Sequence, residues 1–447
     1  MVMVGFLQAQ NCTQLASSWR HPEARLDFLD VDYFQHIARV LEAGKFQLGF
    51  FDDRLAMPDM YGLDHGLIVQ NGIRCVKMDP TTILMAMGTA TKKLGLGATY
   101  STTYYEPFHV ARVFATLDLM TGGRAAWNVV TSVNDGEAHN MGELQHLDHD
   151  LRYDRADEFM EVVLGHWDTW DDGSIVCDRE RDVFAIPEKV HRLDHEGKFF
   201  RSRGPFTVPR SAQGHPVVIQ AGSSGRGKRF AARWAELVFV AYPNLAGGKQ
   251  SYAELKDAIA NEGRNPEEVK ITTLIWPVTA ETRAEAEDKM AVIDKGYRDV
   301  DGLSLLSEAL NFDFATKAID DPFTDAELAS MTGMHAMRDR VVQVSGKTNP
   351  TVRDFLDVTQ RGKASHAVVG SAKEIADYME EWFCAPACDG FVISATHIPG
   401  SYEDFVRFVV PELQRRGLYH RDYEGTTLRD NLGLTRPAIG ALRRASV

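Results

Sequence analysis

Eight short apolar runs constrain the fold of this chain more than any other feature of its sequence. Each run leads into a polar or glycine-containing turn and then into a longer segment with helical periodicity. The runs cover residues 2–10, 46–52, 94–101, 125–131, 216–222, 237–242, 270–278 and 390–395. Repeated strand–helix units with continuously apolar strands are typical of parallel sheets buried on both faces. Eight such units predict a closed (β/α)8 TIM barrel, with a doubly wound open sheet as the main alternative.

The segments between the runs set the expected domain organisation. Residues 32–45 and 155–167 carry apolar residues three and four positions apart, which predicts helices. Two intervals, 171–213 and 300–364, are longer than ordinary connections, and we expect both to be insertions on one domain that spans residues 1–447. The second insertion is the expected lid, and residues 418–447 are the expected C-terminal extension.

Charge and targeting signals exclude several classes of protein. The formal net charge is −14, and lysines and arginines do not cluster beyond doublets, which argues against binding to nucleic acid or to a membrane surface. Residues 1–10 lack the basic region of a signal peptide, so a cytoplasmic protein is expected. The five cysteines match neither a disulfide framework nor a zinc motif, and we predict reduced thiols and no bound metal.

Polar residues collect where the predicted strands end, which is where TIM barrels carry their chemistry. They are Gln8, Gln10, Asn11 and Cys12 after the first strand, Asp52, Asp53 and Arg54 after the second, Thr99 and Ser101–Thr103 in the third, and Asn128, Thr131 and Ser132 in the fourth. The fifth strand runs into residues 222–228 (GSSGRGK), followed by an expected helix at 229–236. Such a turn offers backbone N–H groups, hydroxyls and a helix dipole to an anion, although a loop that merely needs small residues would look similar.

Two nucleotide-binding motifs are incomplete. Residues 222–228 match GxxxxGK, but Arg229 stands where a P-loop needs a serine or threonine to ligate magnesium. Gly95 and Gly97 lack the third glycine of a dinucleotide fingerprint. A nucleotide hydrolase is therefore disfavoured, and no nicotinamide site is expected.

Histidines and aspartates crowd into residues 145–150 (QHLDHD), directly before a predicted helix. One interpretation is a metal site and a second is a solvated loop, which the spacing favours because four such neighbours do not converge on one ion. A third places His149 and Tyr153, four residues apart, on one face of the helix, where both could meet one ligand.

Five collinear blocks resemble the bacterial-luciferase-like flavin monooxygenases, within the group of nitrilotriacetate, EDTA and dibenzothiophene sulfone monooxygenases. The blocks are residues 99–118, 122–132, 149–158, 216–225 and 410–434. The resemblance implies a luciferase-like barrel, FMN used as FMNH2 with O2 as co-substrate, and a separate NAD(P)H-dependent reductase that supplies the reduced flavin. It also implies a homodimer or homotetramer.

The same resemblance assigns the flavin contacts and leaves the reacting residues open. It implies FMN binding by Asp53, Thr99, Asn128, Thr131, His149, Tyr153, Ser223 and Ser224. Three residues are candidates for the substrate side: Arg54 and Arg74, which could pair with a carboxylate or sulfonyl group, and Cys12. For each arginine the alternative is an ordinary surface or ion-paired side chain, and for Cys12 it is a buried small hydrophobe.

Together these observations predict a two-component monooxygenase. It would insert one oxygen atom from O2 into a small organic substrate, with cleavage of a C–N or C–S bond. An alkane or ring hydroxylase on the same scaffold is one alternative, and a non-catalytic flavin-binding barrel is another. The substrate, the reductase and the proton donor do not follow from the sequence.

Overall fold

Eight parallel strands form the centre of the protein, as seen in a computed structural model that describes residues 1–222, 225–365 and 367–441. The strands are β1 (Val2–Gln8), β2 (Leu48–Asp52), β3 (Gly95–Ser101), β4 (Ala125–Val130), β5 (Val217–Gln220), β6 (Leu237–Val240), β7 (Lys270–Ala280) and β8 (Gly390–Ser394). Every apolar run predicted to be a strand coincides with one of them, and β7 extends two residues beyond its run. The other seven strands end at the predicted residue or up to two residues before it.

Pairing around the ring closes the sheet. Strand β1 pairs with β2 on one side and with β8 on the other, with Val4 opposite both Leu48 and Val392. The remaining strands follow in the order β2-β3-β4-β5-β6, and β6 pairs with β7, which pairs with β8. The (β/α)8 barrel is confirmed, and the open-sheet alternative is wrong.

Helices surround the barrel and connect its strands. They are α1 (Val31–Ala43), α2 (Gly66–Asn71), α3 (Pro80–Ala90), α4 (Pro107–Met120), α5 (Asp135–Asn140), α6 (His149–Trp167), α7 (Gly225–Trp234), α8 (Leu245–Asn261), α9 (Arg283–Gly296), α10 (Asp299–Leu310), α11 (Asp325–Ser330), α12 (His335–Ser345), α13 (Val352–Thr359), α14 (Ala372–Cys384), α15 (Gly400–Asp404), α16 (Val410–Arg415) and α17 (Leu428–Leu432). Helix α7 begins four residues before the predicted start, because Gly225 and Gly227 are accommodated in its first turn. None of the described helices combines the length and apolarity that crossing a membrane requires.

Two long intervals carry additional structure. Residues 171–213 hold two small antiparallel hairpins, Ile175–Asp178 with Val183–Ala185 and His195–Glu196 with Arg201–Ser202. Residues 300–364 contain most of α10 and all of α11 to α13, whose apolar side chains form a cluster of their own around Phe314, Phe323 and Phe355. A short outer strand, Ala367–Ser371, then pairs with the far half of β7.

The interior of the barrel is filled by alternate residues of its strands. The filling side chains include Val4 and Phe6 of β1 and Leu48 and Phe50 of β2, all buried. At the amino-terminal end of the barrel, Leu428 and Leu432 of α17 join the same cluster. The C-terminal segment therefore closes the bottom of the barrel, and only the carboxyl end of the strands remains for a ligand.

Candidate functional site

A polar layer lies directly above the apolar filling of the barrel. Side chains alternate across a strand, so the inward positions that follow Phe6, Phe50, Ala126 and Val392 are Gln8, Asp52, Asn128 and Ser394. Thr99 follows Gly97 in the same way, and a side chain at Gly97 would meet Leu48, Ala126 and Ile219 of the filling. The barrel thus presents a floor of amides, a carboxyl and hydroxyls at its carboxyl end.

Several atoms of this floor have no partner among the described residues. The Asn128 amide donates a hydrogen bond from Nδ2 to Oγ1 of Thr99 at 2.9 Å, across a direct β3–β4 pair. The Oδ1 atom of Asn128, Oε1 of Gln8 and Oγ of Ser394 are buried without a hydrogen-bond partner. A buried polar atom left unpaired costs about 1–3 kcal/mol, so this floor is built for a ligand with matching donors and acceptors.

Two neighbouring carboxyl groups end strand β2. Asp52 accepts a short hydrogen bond from Nε2 of Gln8, and its burial raises the pKa of its carboxyl. Asp53 follows in a cleft that Phe51 and Lys77 also line. Burial raises the pKa of Asp53 to about 7, although the Lys77 ammonium opposes the shift. Asp53 can therefore change its protonation state near neutral pH.

Helix α10 reaches this end of the barrel through Glu308. The carboxylate of Glu308 accepts from Nη1 of Arg54 at 3.3 Å and from Nδ2 of Asn134 at 3.0 Å. Burial alone would raise the pKa of Glu308, but Arg54, Lys77 and other nearby cations hold it below its usual value. Arg54 is therefore ion-paired, which was one of the alternatives for it, and the pair joins the 300–364 segment to the mouth of the barrel.

Arg74 and Cys12 lie in the same region with different surroundings. Arg74 is 8% exposed and donates from Nη2 to the carbonyl of Gln14 at 3.2 Å, while its Nε is buried without a partner among the described residues. Cys12 is fully buried, and burial raises the pKa of its thiol. A protonated, enclosed thiol is a packing group, so the interpretation of Cys12 as a small hydrophobe fits its surroundings.

The other predicted flavin contacts gather between α6 and α7. The rings of His149 and Tyr153 lie 5.1 Å apart on α6, and the Tyr153 ring packs against Phe230 of α7 at 5.6 Å. His149 is about half exposed, and its Nδ1 lies 2.9 Å from Oδ1 of Asp150. Ser223 and Ser224 lie outside the described residues, and in the sequence they directly precede Gly225, where α7 begins.

Thr131 stands between the two groups of predicted contacts. Its backbone carbonyl accepts from Oγ1 of Thr103 at 2.8 Å and from Nη1 of Arg152 at 3.3 Å. Arg152 is the neighbour of Tyr153 on α6. Thr131 and Arg152 thereby connect the barrel floor, at Thr99 and Asn128, with the junction of α6 and α7. This arrangement suits an elongated ligand with a ring at one end and an anion at the other.

The side chains of residues 145–150 (QHLDHD) contact different partners. Nδ1 of His146 lies 2.5 Å from the Tyr104 hydroxyl, and Nε2 of His146 lies 2.9 Å from Nη1 of Arg152. Asp148 caps α6 by accepting from the backbone N–H groups of Asp150 and Leu151. These side chains are occupied in holding α6, and the metal interpretation of this segment has no geometric support.

Two residues of the site escape the sequence reasoning. Ser394 completes the polar floor, and its inward alternation with Val392 in the last strand is a signal that could have indicated it. His397, three residues further on, is buried, and its ring stacks on His21 with 3.7 Å between centroids. Burial lowers the pKa of His397 to about 3, so the imidazole is neutral. No local sequence signal connects His21 with His397.

Comparison with known proteins identifies the scaffold. A family model described as luciferase-like monooxygenase matches residues 9–387. The chain belongs to the luciferase-like monooxygenase family. The fold and the family expected from the five sequence blocks are therefore both confirmed, and the chain is a flavin-dependent monooxygenase.

Individual relatives of this monooxygenase match along almost their full length. The chain is 44% identical over 450 residues to the dibenzothiophene-sulfone monooxygenase of Rhodococcus erythropolis, covering 98% of both chains. It is 40% identical to nitrilotriacetate monooxygenase component A of Aminobacter aminovorans, covering 94% of this chain and 93% of the other. A crystal structure of a riboflavin lyase with modified FMN and riboflavin superposes with a TM-score of 0.87 at 30% identity, over 98% of this chain and 96% of that one.

Proposed function

We propose that this monooxygenase is the oxygenase component of a two-component system that uses FMNH2 and O2. It would insert one oxygen atom into a small organic substrate and so cleave a C–S or C–N bond. The observation that carries the proposal is the barrel floor, where Gln8, Asn128 and Ser394 keep buried polar atoms unpaired among the described residues. The names of the Rhodococcus and Aminobacter relatives support the two bond types, since one acts on a sulfone and the other on a tertiary amine.

The residues present fit FMN. Thr99 and Asn128 would hold the polar edge of the ring system, with Asp53 at its side. Thr131, His149 and Tyr153 would lie between the ring system and the phosphate. Ser223 and Ser224 would bind the phosphate before the amino terminus of α7, where N–H groups and the helix dipole favour an anion. When bound in its reduced form, FMN supplies the electrons that activate O2.

The protein's own task is to bind, orient and exclude water. A site closed to solvent strengthens each polar contact and prevents unproductive hydrolysis. The 300–364 segment is placed for this role, because Glu308 binds Arg54 and Asn134 at the mouth of the barrel. We propose that this segment is the lid, and that closure over the bound flavin orders it further.

Reduced flavin must come from elsewhere. The sequence lacks a dinucleotide fingerprint, and the Aminobacter relative carries the name component A, which implies a second component. We propose that a separate NAD(P)H-dependent reductase supplies FMNH2, and that the chain assembles as a homodimer or homotetramer. Light scattering on the purified protein measures that assembly directly.

A turnover screen tests the proposed function. The purified protein receives FMNH2 from an unrelated flavin reductase, together with sulfones, thioethers, aminopolycarboxylates and alkanes, and products are identified by mass. Cleavage of a C–S or C–N bond that requires both FMNH2 and the protein supports the proposal. An alkane or ring hydroxylase would instead give a hydroxylated, uncleaved product, and a non-catalytic flavin barrel would bind FMN without forming any product.

The phosphate end is tested separately by the double variant Ser223→Ala, Ser224→Ala. Loss of two hydroxyl donors to a phosphate weakens binding by about a hundredfold or more, since each charge-assisted hydrogen bond contributes about 1.5–3 kcal/mol. Quenching of FMN fluorescence during titration gives the dissociation constant. An unchanged constant would remove the turn at 222–228 as the phosphate site.

A further inference from the structure

A second cavity opens beside the barrel floor, beneath the 300–364 segment. It has a volume of about 400 Å³, within the range of sites for small molecules. One wall is formed by residues of two neighbouring barrel strands: Ala241, directly after β6, and Leu274 and Trp276 of β7. The opposite wall is formed by α12, α13 and the loop that follows α13. Arg74 also lines the cavity.

The charges that line this cavity all have one sign. The lining residues that the structure describes include Arg74, Arg340, Arg361 and Lys363, and no aspartate or glutamate stands among them. The remaining wall is largely apolar, with Leu274, Trp276, Leu305, Met337 and Val358. An apolar chamber with several positive groups suits a molecule with an apolar body and a negatively charged end.

Arg74 and Arg361 share the Glu308 carboxylate with two other cations and have no ion pair of their own among the described residues. Among the described residues, no carboxylate lies within 4.0 Å of either guanidinium, and the Nε atom of Arg74 is buried without a partner. Among the described residues, the Arg361 guanidinium makes one weak contact, from Nη2 to the Met334 sulfur at 3.7 Å. Burial and the neighbouring Arg74 and Arg54 lower the pKa of Arg361 to about 10. Arg74 is buried and Arg361 is partly buried, and two like charges that face one cavity are unfavourable unless an anion neutralises them.

Glu308, a carboxylate close to these arginines, already has hydrogen-bond partners. Glu308 accepts hydrogen bonds from Arg54 and Asn134, and its charge is shared by four cations, namely Arg54, Lys77, Arg74 and Arg361. Three other carboxyls lie beside this group. Burial raises the pKa of Asp52 and raises that of Asp53 to about 7, which reduces their share of negative charge, while Glu137 also faces Arg54. The mouth of the barrel therefore keeps an excess of positive charge on the side of this cavity.

We propose that this cavity is the substrate pocket and that it selects an organic anion, a carboxylate or sulfonate on an apolar body, through Arg74 and Arg361. The inference rests on the proposed oxygenase function, because it names the substrate class of that site. The apolar strand ends would hold the body of the substrate next to the floor, and the two guanidinium groups would hold its charged end beneath the lid.

Binding of a matched pair of probes tests the proposal without any turnover. The pair is 3-(phenylsulfonyl)propanoate and its primary amide, which differ in charge and share shape, titrated by calorimetry into the protein with oxidised FMN present. We expect the acid to bind at least about tenfold more tightly than the amide, the difference made by one charge-assisted contact. Equal affinities would overturn the proposal, whatever the turnover screen gives.

Variants locate the selectivity. Arg361→Gln should lower the affinity for the acid about tenfold and leave the affinities for the amide and for FMN unchanged. The control is Arg353→Gln, since Arg353 lies on the same segment but pairs with Asp320 at 2.7 Å on the surface, and it should change neither. If Arg361→Gln weakens FMN binding and leaves the acid unaffected, the positive charge serves the flavin and the proposal is wrong. Turnover of neutral substrates alone would likewise contradict it while leaving the oxygenase function intact.

Discussion

The contact between Glu308 and the mouth of the barrel gives a sharp prediction about stability. Glu308→Gln keeps the size of the side chain and an acceptor for Asn134 but removes the charge that Arg54 faces at 3.3 Å. The change leaves Arg54, Lys77, Arg74 and Arg361 without their common counter-charge. We therefore expect the variant to be less stable than the wild type and its 300–364 segment to be more easily cleaved by protease.

The magnitude follows from the burial of the pair. Removing one partner of a fully buried ion pair costs about 3–5 kcal/mol. Here the Glu308 side chain is 8% exposed and Arg54 is 24% exposed, so water shields part of the uncompensated charge. We expect a loss of about 2 kcal/mol in the free energy of unfolding, between the buried case and the value of less than about 1 kcal/mol for surface pairs.

Urea unfolding at neutral pH measures this loss, and the matched control is Asp320→Asn. That variant also removes an acid from the 300–364 segment, but its pair with Arg353 is exposed, with 72% and 52% of the side chains accessible. The control should lose less than about 0.5 kcal/mol. A Glu308→Gln protein within about 0.5 kcal/mol of the wild type would refute the claim that Glu308 neutralises the cations at the mouth.

Three further predictions concern the floor, its carboxyl group and the lid. Asn128→Ala should weaken FMN binding about tenfold, measured by fluorescence titration, and an unchanged dissociation constant would remove Asn128 from the flavin site. Asp53 has a pKa raised from 3.8 to about 7, so the native state holds its proton more tightly and stability falls as pH rises across that interval. Urea unfolding should show that Asp53→Asn loses this decline between about pH 4 and pH 7, and an identical decline would contradict the shift. Residues 300–364 should resist protease better with FMN than without it, and equal cleavage would count against a lid.

Most of the fold could be predicted because parallel barrel strands are buried on both faces. The run 237–242 is continuously apolar for that reason, and β6 lies within it. The outer strand Ala367–Ser371 was not predicted, since it is short, only partly buried and ends in a glycine and a serine. Periodicity carries little information about such an edge.

The candidate site was less accessible to sequence reasoning. Thr99 and Asn128 could be placed together, because neighbouring strands of a barrel bring their carboxyl ends to one rim, and their side chains are hydrogen-bonded. The contact between Arg54 and Glu308 joins residues 254 positions apart and depends on how the 300–364 segment folds back over the barrel. No local pattern encodes such a contact, and the cavity beneath that segment follows from the same packing.

Isotope labelling under single-turnover conditions tests the central claim most directly. The protein is mixed with FMNH2, a substrate found by the screen and 18O2, and the product is analysed by mass spectrometry. The account predicts one 18O atom per turnover, carried by the fragment that is oxygenated and absent from the fragment that leaves, and no product when FMNH2 is left out. Product oxygen derived from water, or a product formed without FMNH2, would contradict it.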